Sequence, residues 1–417
     1  MRPMTPPGTR LARAAAAALV LALSACGSDT DADTAEPARL LTIWADDERA
    51  LALMTFAEAY SRTSDAQVEV IVVEHEELRA SFVSAHANGL GPDIMVGPHD
   101  WTGELVAADA VAPVSLDAGA AEAFTPGALD AVTYDGAVYG VPYATENLAL
   151  IRNTDLAPSA PETMEELVET GSDVVDAGRA SRVLGLQVGE EGDAYHVHPL
   201  FTSAGGYLFG QDGAGDPDPT DLGVAAPESV AAFERLAELG EAGSGVLTRD
   251  TTADGAAELF TGGETPYFVT GPWSLSAIKE AGVAYGISPV PPFADGAPAR
   301  PLIGVQTFFV AAGASDPDLA RTFAADFVSD PEFSVILYEA DPRVPALVDA
   351  LETVSEQDPD VQAFQNAGAN GLPMPAIPEM DAVWGPFSQA GADIIAGADP
   401  AEELAEAEEL ITASFTE

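Results

Sequence analysis

The sequence predicts an α/β protein from the alternation of its elements, and its composition and length predict folded domains with large cores. Apolar, strand-like runs alternate with amphipathic helical patterns along the chain. Hydrophobic residues make up 47% of the sequence, which is enough to build large cores. The 417 residues exceed the size of one ordinary domain, so we expect two or three.

The alternation begins close to the N-terminus. Residues 40–44 predict a short buried strand, and apolar residues at helical spacing from Leu53 to Tyr60 predict the helix that follows it. The β-branched run at 68–73 predicts a second strand. A strand, helix and strand in this order indicate a parallel pair joined by a right-handed crossover.

The same pattern continues along the chain. Residues 93–96, 138–143 and 148–152 predict further strands, and a helix is expected near 163–168, after Pro161.

Charge excludes several classes of partner. The chain has 16 basic and 68 acidic residues, a formal net charge of −52. Binding to nucleic acid or to anionic lipid needs a basic patch, so we expect neither. A surface this acidic favours a soluble monomer.

The N-terminus predicts export and lipid attachment. Basic residues precede an apolar run at 14–23, which is typical of a signal peptide and too short for a transmembrane helix. The run ends in Leu23-Ser24-Ala25-Cys26-Gly27, which resembles a bacterial lipobox, and Cys26 is the single cysteine. We therefore expect a lipoprotein signal peptide at 1–25, lipidation of Cys26 and a flexible tether at 26–37. No later apolar run approaches 18 residues, so membrane contact is expected through the lipid alone.

Motifs for catalysis are missing from the sequence. It has no G-x-S-x-G elbow, no H-E-x-x-H helix and no glycine-rich phosphate loop before Lys279. His196 and His198 would share one face of a strand, but no second pair completes a metal site. We therefore expect no metal, no cofactor and no enzyme activity. A glycosidase pair stays open as an alternative, because carboxylates are so numerous.

Tryptophan placement favours a carbohydrate cleft. The four tryptophans are expected at strand ends or in loops flanked by glycine or proline, rather than inside helices, and they are Trp44, Trp101, Trp273 and Trp384. Indole rings stack on the flat faces of sugars, while carboxylates and arginines bind sugar hydroxyls.

Five segments then carry a family resemblance, in order and in register over about 40–414. They are Gly91-Pro92-Asp93-Ile94 with His99-Asp100, residues 143–151 with 153–156, Ala204-Gly205-Gly206-Tyr207, Gly271-Pro272-Trp273-Ser274 with Tyr285-Gly286, and residues 375–380 with Trp384. The chain resembles the bacterial extracellular solute-binding proteins (family 1) of carbohydrate ABC importers, most closely the maltose/maltodextrin-binding group.

The resemblance implies a two-lobed, periplasmic-binding-protein-like (type II) fold with a hinge crossed three times. The crossings are expected near 143–144, 304–308 and 354–358. Lobe one would comprise 38–143 with 307–353, and lobe two would comprise 144–306 with 358–417.

The resemblance also implies the residues of the sugar site. Matched by motif position, they are Asp46, Glu48, Arg49, Asp100, Trp101, Glu146, Asp193, Tyr195, Trp273 and Trp384. Four positions depart from the family pattern: Gly97 replaces a tryptophan, Trp101 an arginine, Gly385 an aromatic residue and Ser388 an arginine. Our hypothesis is that Trp101 restores the aromatic surface lost at Gly97.

The function implied is that of a lipid-anchored receptor at the outer face of the cytoplasmic membrane. It would capture maltose or maltodextrin-type oligosaccharides and deliver them to the transmembrane subunits and ATPase of an ABC permease. Three alternatives remain: a receptor for galacto- or other gluco-oligosaccharides, a secreted glycoside hydrolase, and a purely structural surface lipoprotein.

Overall fold

A computed structural model of the chain describes residues 39–213 and 215–415. Cys26 and the predicted signal peptide lie outside these residues. The strands are β1 (Arg39–Ala45), β2 (Ala66–Val72), β3 (Ile94–Pro98), β4 (Thr133–Tyr134), β5 (Ala137–Val138), β6 (Val141–Glu146), β7 (Ala149–Asn153), β8 (Gly185–Leu186), β9 (Phe209–Gln211), β10 (Pro217–Leu222), β11 (Tyr267–Thr270), β12 (Tyr285–Ser288), β13 (Leu302–Val310), β14 (Val344–Pro345) and β15 (Leu372–Pro373).

Helices connect and cover these strands. They are α1 (Asp47–Thr63), α2 (His75–Ala87), α3 (Thr102–Ala107), α4 (Ala118–Glu122), α5 (Pro126–Ala131), α6 (Met164–Asp176), α7 (Ala194–Ser203), α8 (Pro227–Leu239), α9 (Ala253–Thr261), α10 (Leu275–Ala281), α11 (Pro317–Thr322), α12 (Pro331–Ala340), α13 (Val348–Ser355), α14 (Pro359–Ala367), α15 (Glu379–Ala396) and α16 (Pro400–Ser414). Two 3₁₀ turns, His99–Trp101 and Pro272–Ser274, follow strand ends, and Phe323–Phe327 forms a π-helical turn.

The larger sheet has the strand order β14-β6-β13-β3-β1-β2, with β15 paired to β13. Strand β1 runs parallel to both β2 and β3, so the parallel β1–α1–β2 unit predicted from the sequence is confirmed. Strand β13 is antiparallel to β3 and β6. The carboxyl ends of β1, β2 and β3 therefore meet at one edge of this sheet.

A smaller sheet has the order β12-β7-β11-β8. It includes the strand predicted at 148–152, and the helix predicted near 163–168 is α6, capped by Thr163. The single strand predicted at 138–143 is wrong, because β5 ends at Val138 and β6 begins at Val141. The chain passes Thr307 so closely at Gly140 that a Cβ there would lie 2.3 Å from the Thr307 methyl carbon.

Each sheet has its own hydrophobic core. One core packs α1 and the π-helical turn on the larger sheet, around Phe56, Phe308 and Phe323. Another packs α7, α8 and α15 beside the smaller sheet, around Phe201 and Phe387. These two sets of core residues do not overlap.

The α/β class is confirmed, and the two sheets with separate cores fit a two-lobed, periplasmic-binding-protein-like fold. The crossings expected near 143–144 and 304–308 fall within β6 and β13. The lobe boundaries remain a prediction. Within the described residues, no helix is long and apolar enough to span a membrane.

The first prediction concerns the core of the larger sheet. Phe308 is fully buried and its ring lies 5.3 Å from that of Tyr143 and 5.8 Å from that of Phe56. Phe308→Ala should lower the free energy of unfolding by about 3–5 kcal/mol, because the cavity cannot close completely. Leu410→Ala on α16, where the side chain is 52% exposed, should change it by less than about 0.5 kcal/mol. Urea denaturation measures both, and equal losses would contradict this description of the core.

Candidate ligand-binding cleft

A cavity of about 690 Å³ lies among the residues that follow the strand ends. Ligand pockets for small molecules typically fall in this range of volume. Eight of the ten predicted binding residues line it, namely Arg49, Asp100, Trp101, Glu146, Asp193, Tyr195, Trp273 and Trp384. The structure thus brings together residues separated by more than 300 positions in the sequence.

Short turns at strand ends position most of these side chains. Asp46 follows β1 and caps α1 by accepting the Arg49 backbone N–H at 3.1 Å. The His99–Trp101 turn follows β3, and Glu146 ends β6. Asp193 caps α7 and also contacts the His196 ring nitrogen at 2.9 Å.

Two expectations about local structure are corrected here. Trp384 lies inside α15 rather than in a loop, because the Gly385-Pro386 step does not end that helix. The His196–His198 segment is helical rather than extended. Residues two apart on a helix point to nearly opposite faces, so α7 separates the two rings: His196 lines the cavity, and His198 is buried elsewhere.

A continuous series of hydrogen bonds and ion pairs crosses the cleft edge of the larger sheet, and we call it the polar chain. Its members, in order, are His75, Asp46, Arg49, Gln306, Glu146, Arg343 and Asp341. Gln306 is its centre: its Oε1 accepts from Arg49 Nε at 2.8 Å, and its Nε2 donates to Glu146 Oε1 at 2.7 Å. Glu146 Oε2 accepts from Arg343 Nε at 2.5 Å.

The polar chain lowers the pKa of two of its buried acids, Asp46 and Glu146. Burial alone would raise the pKa of Asp46, but the hydrogen bond from His75 and the charge of Arg49 lower that pKa to about 2. Burial would also raise the pKa of Glu146, but the charges of Arg343 and Arg49 hold it below its ordinary value. Asp46 is 1% exposed and lies behind the cavity surface, so it orients Arg49 from there. The side chain of Glu48 is outside what the structure describes.

Two buried polar atoms at the cleft have no hydrogen-bond partner within the described part of the chain. They are Oδ1 of Asp100 and the hydroxyl of Tyr195. Burial raises the pKa of Asp100 to about 6, despite the opposing effects of the Arg79 charge and a hydrogen bond from Trp384. Buried polar atoms normally have partners, so these two atoms carry unused hydrogen-bonding capacity, and a ligand would reach them only after a shift of the surrounding side chains.

Two of the indole rings at the cleft pack over glycines. Trp101 is only 6% exposed and lies over Gly97, where a Cβ would come within 2.4 Å of the ring. Trp273 lies over Gly271 in the same way, since a Cβ on Gly271 would come within 2.0 Å of its ring. The Arg343 guanidinium lies 5.6 Å from the centre of the Trp273 ring. Trp101 therefore fills the space above Gly97, and its role as a replacement aromatic surface for a ligand remains a prediction.

Several residues at the cavity were missed by sequence reasoning. They are Asp47, Glu74, His75, Arg79, Gln187, His196, Gln306, Arg343 and Asp381, together with less polar contacts. One signal for Gln306 was present, since it is a lone amide inside the apolar strand β13. No sequence signal marks Arg343, because it follows a proline in a segment without periodicity.

The departures at Gly385 and Ser388 have different surroundings. Nothing lies within 4 Å of a Cβ built on Gly385, so that position is open space beside Trp384. Ser388 Oγ accepts the Ala194 backbone N–H at 3.0 Å. Ser388 therefore holds the start of α7, next to Asp193, and is not among the cavity residues.

Comparison with known proteins gives consistent matches. A family model described as bacterial extracellular solute-binding protein matches residues 55–367. A galactooligosaccharide-binding protein of Bacillus subtilis is 25% identical over 402 residues, covering 94% of each chain. A maltotriose-binding protein of Pyrococcus abyssi is 29% identical over 326 residues, covering 76% of this chain and 69% of the relative. A maltooligosaccharide ABC transporter solute-binding lipoprotein of Streptococcus pneumoniae is 27% identical over 399 residues, covering 92% of each.

The glycines beneath the two indoles provide a second prediction. A methyl group at Gly97 or Gly271 would overlap the ring above it, so Gly97→Ala and Gly271→Ala should displace Trp101 and Trp273 respectively. Near-ultraviolet circular dichroism should change in the tryptophan region for both variants. Gly385→Ala is the matched control, because its methyl group meets open space, and its spectrum should match the wild type. Unchanged spectra in all three variants would show that the indoles do not pack on these glycines.

Proposed function

The chain belongs to the family of bacterial extracellular solute-binding proteins, and from this premise we propose that it is the sugar receptor of an ABC importer. It captures an uncharged oligosaccharide of the maltodextrin type in the cleft and delivers it to the permease. The observation that carries the proposal is the pair of unpartnered polar atoms, Asp100 Oδ1 and the Tyr195 hydroxyl, in a cavity that Trp273 and Trp384 also line. Sugar hydroxyls would bind to the polar atoms, and the indoles would cover the faces of the sugar rings.

Charge pairing supports an uncharged ligand. Three guanidinium groups line the cavity, and each already contacts carboxylates. Arg49 pairs with Asp46, and Arg343 pairs with Glu146. Arg79 contacts Glu104 at 2.8 Å and also pairs with Asp381. A phosphorylated or acidic sugar would have to displace these partners, and it would also meet the negative charge of Asp100.

Ligand capture would couple to closure of the two proposed lobes. Arg79 on α2 reaches Asp381 on α15, so an ion pair joins the two sides of the cleft in the described conformation. A sugar that touches residues on both sides would bind the closed form more tightly and so shift the population towards it. The lobes proposed are 38–143 with 307–353 and 144–306 with 358–417.

The remaining parts of the proposal concern location and chemistry. Lipid on Cys26 would hold the receptor at the outer face of the membrane, and the tether at 26–37 would let it reach the permease and its ATPase. We propose that the protein acts as a monomer and that no bond of the sugar is made or broken. The relatives compared above are named as binding proteins, which supports a receptor over a hydrolase.

A second ligand within the same class has its own support. The Bacillus subtilis relative is named for galactooligosaccharides, and it matches this chain over nearly its whole length. The four departures from the family pattern include Trp101, whose ring lines the cavity. The same receptor mechanism would then serve a different linkage.

The third prediction tests ligand class and the role of Trp273 together. Residues 27–417 are titrated with maltose, maltotriose, longer maltodextrins, galactooligosaccharides and glucose 6-phosphate, with tryptophan fluorescence as the signal. We expect saturable binding of a maltodextrin, no binding of the phosphate ester and no release of smaller sugars. Trp273→Ala should weaken that binding by about 2 kcal/mol or more, as expected for a central aromatic contact.

Trp44→Phe is the control for this series, since Trp44 is not among the cavity residues. It should bind as the wild type does. A response to galactooligosaccharides alone would keep the receptor and change its sugar. Unchanged affinity in Trp273→Ala would refute stacking on that ring.

The fourth prediction follows from the raised pKa of Asp100, which is about 6. The carboxylate form is the stronger hydroxyl acceptor, so affinity should fall as pH decreases from 7.5 through 6 and Asp100 takes up a proton. Asp100→Asn should remove most of this pH dependence and lower affinity at pH 7.5 roughly tenfold, because a charge-assisted hydrogen bond is lost. Calorimetry at several pH values measures both effects. A pH profile retained in Asp100→Asn would contradict the prediction.

A further inference from the structure

His99 is a buried histidine whose two ring nitrogens are both used. The side chain is only 1% exposed. Its Nδ1 accepts the Val305 backbone N–H at 3.0 Å, so the proton must sit on Nε2, which donates to the Met374 carbonyl oxygen at 3.0 Å. The ring therefore joins its own segment to two others, which lie 206 and 275 residues further along the chain.

This arrangement requires a neutral ring. Burial lowers the pKa of His99 to about 4, although both backbone contacts and the negative charge of Glu146 act in the opposite direction. The ring accordingly keeps one donor and one acceptor at neutral pH. It links backbone groups and adds no charge to the cleft.

Each segment that His99 joins carries a part of the cleft. Asp100 and Trp101 follow it directly, and Gln306, the centre of the polar chain, follows Val305. Met374 itself lines the cavity and precedes the segment that leads into α15 and Trp384.

We propose that His99 is a positioning residue that sets the spacing between the strand end that carries Asp100 and the segment that leads to Trp384, whose indole itself hydrogen-bonds Asp100. It does so without touching the ligand, because it lies beneath the cavity surface and is not among the lining residues. The importance of that spacing for sugar capture rests on the proposed function. The spacing itself can be measured without any ligand.

The chain offers a matched control in His198. This ring is also buried, at 2% exposure, and its Nδ1 contacts the Arg300 carbonyl oxygen at 3.0 Å. Burial likewise lowers its pKa to about 4. His198 does not line the cavity, so loss of its ring should cost stability without moving Asp100 or Trp384.

Two substitutions separate the two bonds of His99. The amide of glutamine reaches about as far as Nε2 and can still donate to Met374, whereas the amide of asparagine reaches only as far as Nδ1 and can still accept from Val305. His99→Asn should therefore let the segment that leads to Trp384 shift, while the pairing of β15 with β13 keeps it attached to the sheet. His99→Gln should keep that segment in place.

The test uses the ligand-free protein (residues 27–417) labelled with 5-fluorotryptophan and observed by fluorine NMR. Four tryptophans give four resonances, which single Trp→Phe variants assign. We expect His99→Asn to shift the Trp384 resonance and leave that of Trp273 in place. His99→Gln and His198→Asn should leave both unchanged. An unmoved Trp384 resonance in His99→Asn, or an equal shift in His198→Asn, overturns the proposal.

A binding measurement completes the test. If maltotriose binds the wild type, His99→Asn should weaken binding roughly tenfold, and His198→Asn should not, even where the two melting temperatures fall equally. If no sugar binds the wild type, the proposed function fails, and the fluorine spectra still decide whether His99 sets the spacing. Should His99→Asn fail to fold, a Trp384 resonance displaced in His99→Gln would contradict the proposal, because that variant keeps the bond to Met374.

Discussion

The pairing of buried charges along the polar chain is the constraint on which the cleft depends. Arg343 and Arg49 are 2% and 4% exposed, and an unpaired charge so deeply buried would cost several kcal/mol. Gln306 connects the two pairs, since it contacts Arg49 on one side and Glu146 on the other. Glu146 lies in β6, Gln306 lies in β13 and Asp46 follows β1 directly, so the polar chain also fixes how these strand ends stand relative to one another.

This constraint decides which groups are left for a ligand. The arginines at the cavity are held by carboxylates, so they can donate to uncharged hydroxyls but have no unpaired charge for a phosphate. Asp100 lies outside the polar chain, and its Oδ1 is unpartnered within the described residues. In a protein with a net charge of −52, we propose that a site of this kind selects ligands by hydroxyl groups and ring faces rather than by charge.

Sequence patterns predicted the local parts of this structure and missed the parts that depend on distant contacts. The β1–α1–β2 unit follows from periodicity, and the site residues at strand ends follow from motifs that stay within a few positions. Trp384 was expected in a loop, because a Gly-Pro step usually marks a break, whereas the packed helix α15 tolerates it. Glu146 meets Gln306 across 160 positions and Arg343 across 197, and no local pattern encodes such pairings. The roles of these residues depend on the order of the strands in the sheet.

In the proposed function, the cleft between the two sheets holds an oligosaccharide on Asp100 and Tyr195, with indole rings against the faces of the sugar. The most direct test is a crystal structure of residues 27–417 grown with maltotriose, or with whichever sugar binds most tightly in solution. We expect continuous sugar density in the cleft, a sugar hydroxyl within hydrogen-bond distance of Asp100 Oδ1, and a sugar ring stacked on Trp273 or Trp384. Sugar bound elsewhere on the molecule, or a bound ligand that leaves both polar atoms without a partner, would contradict it.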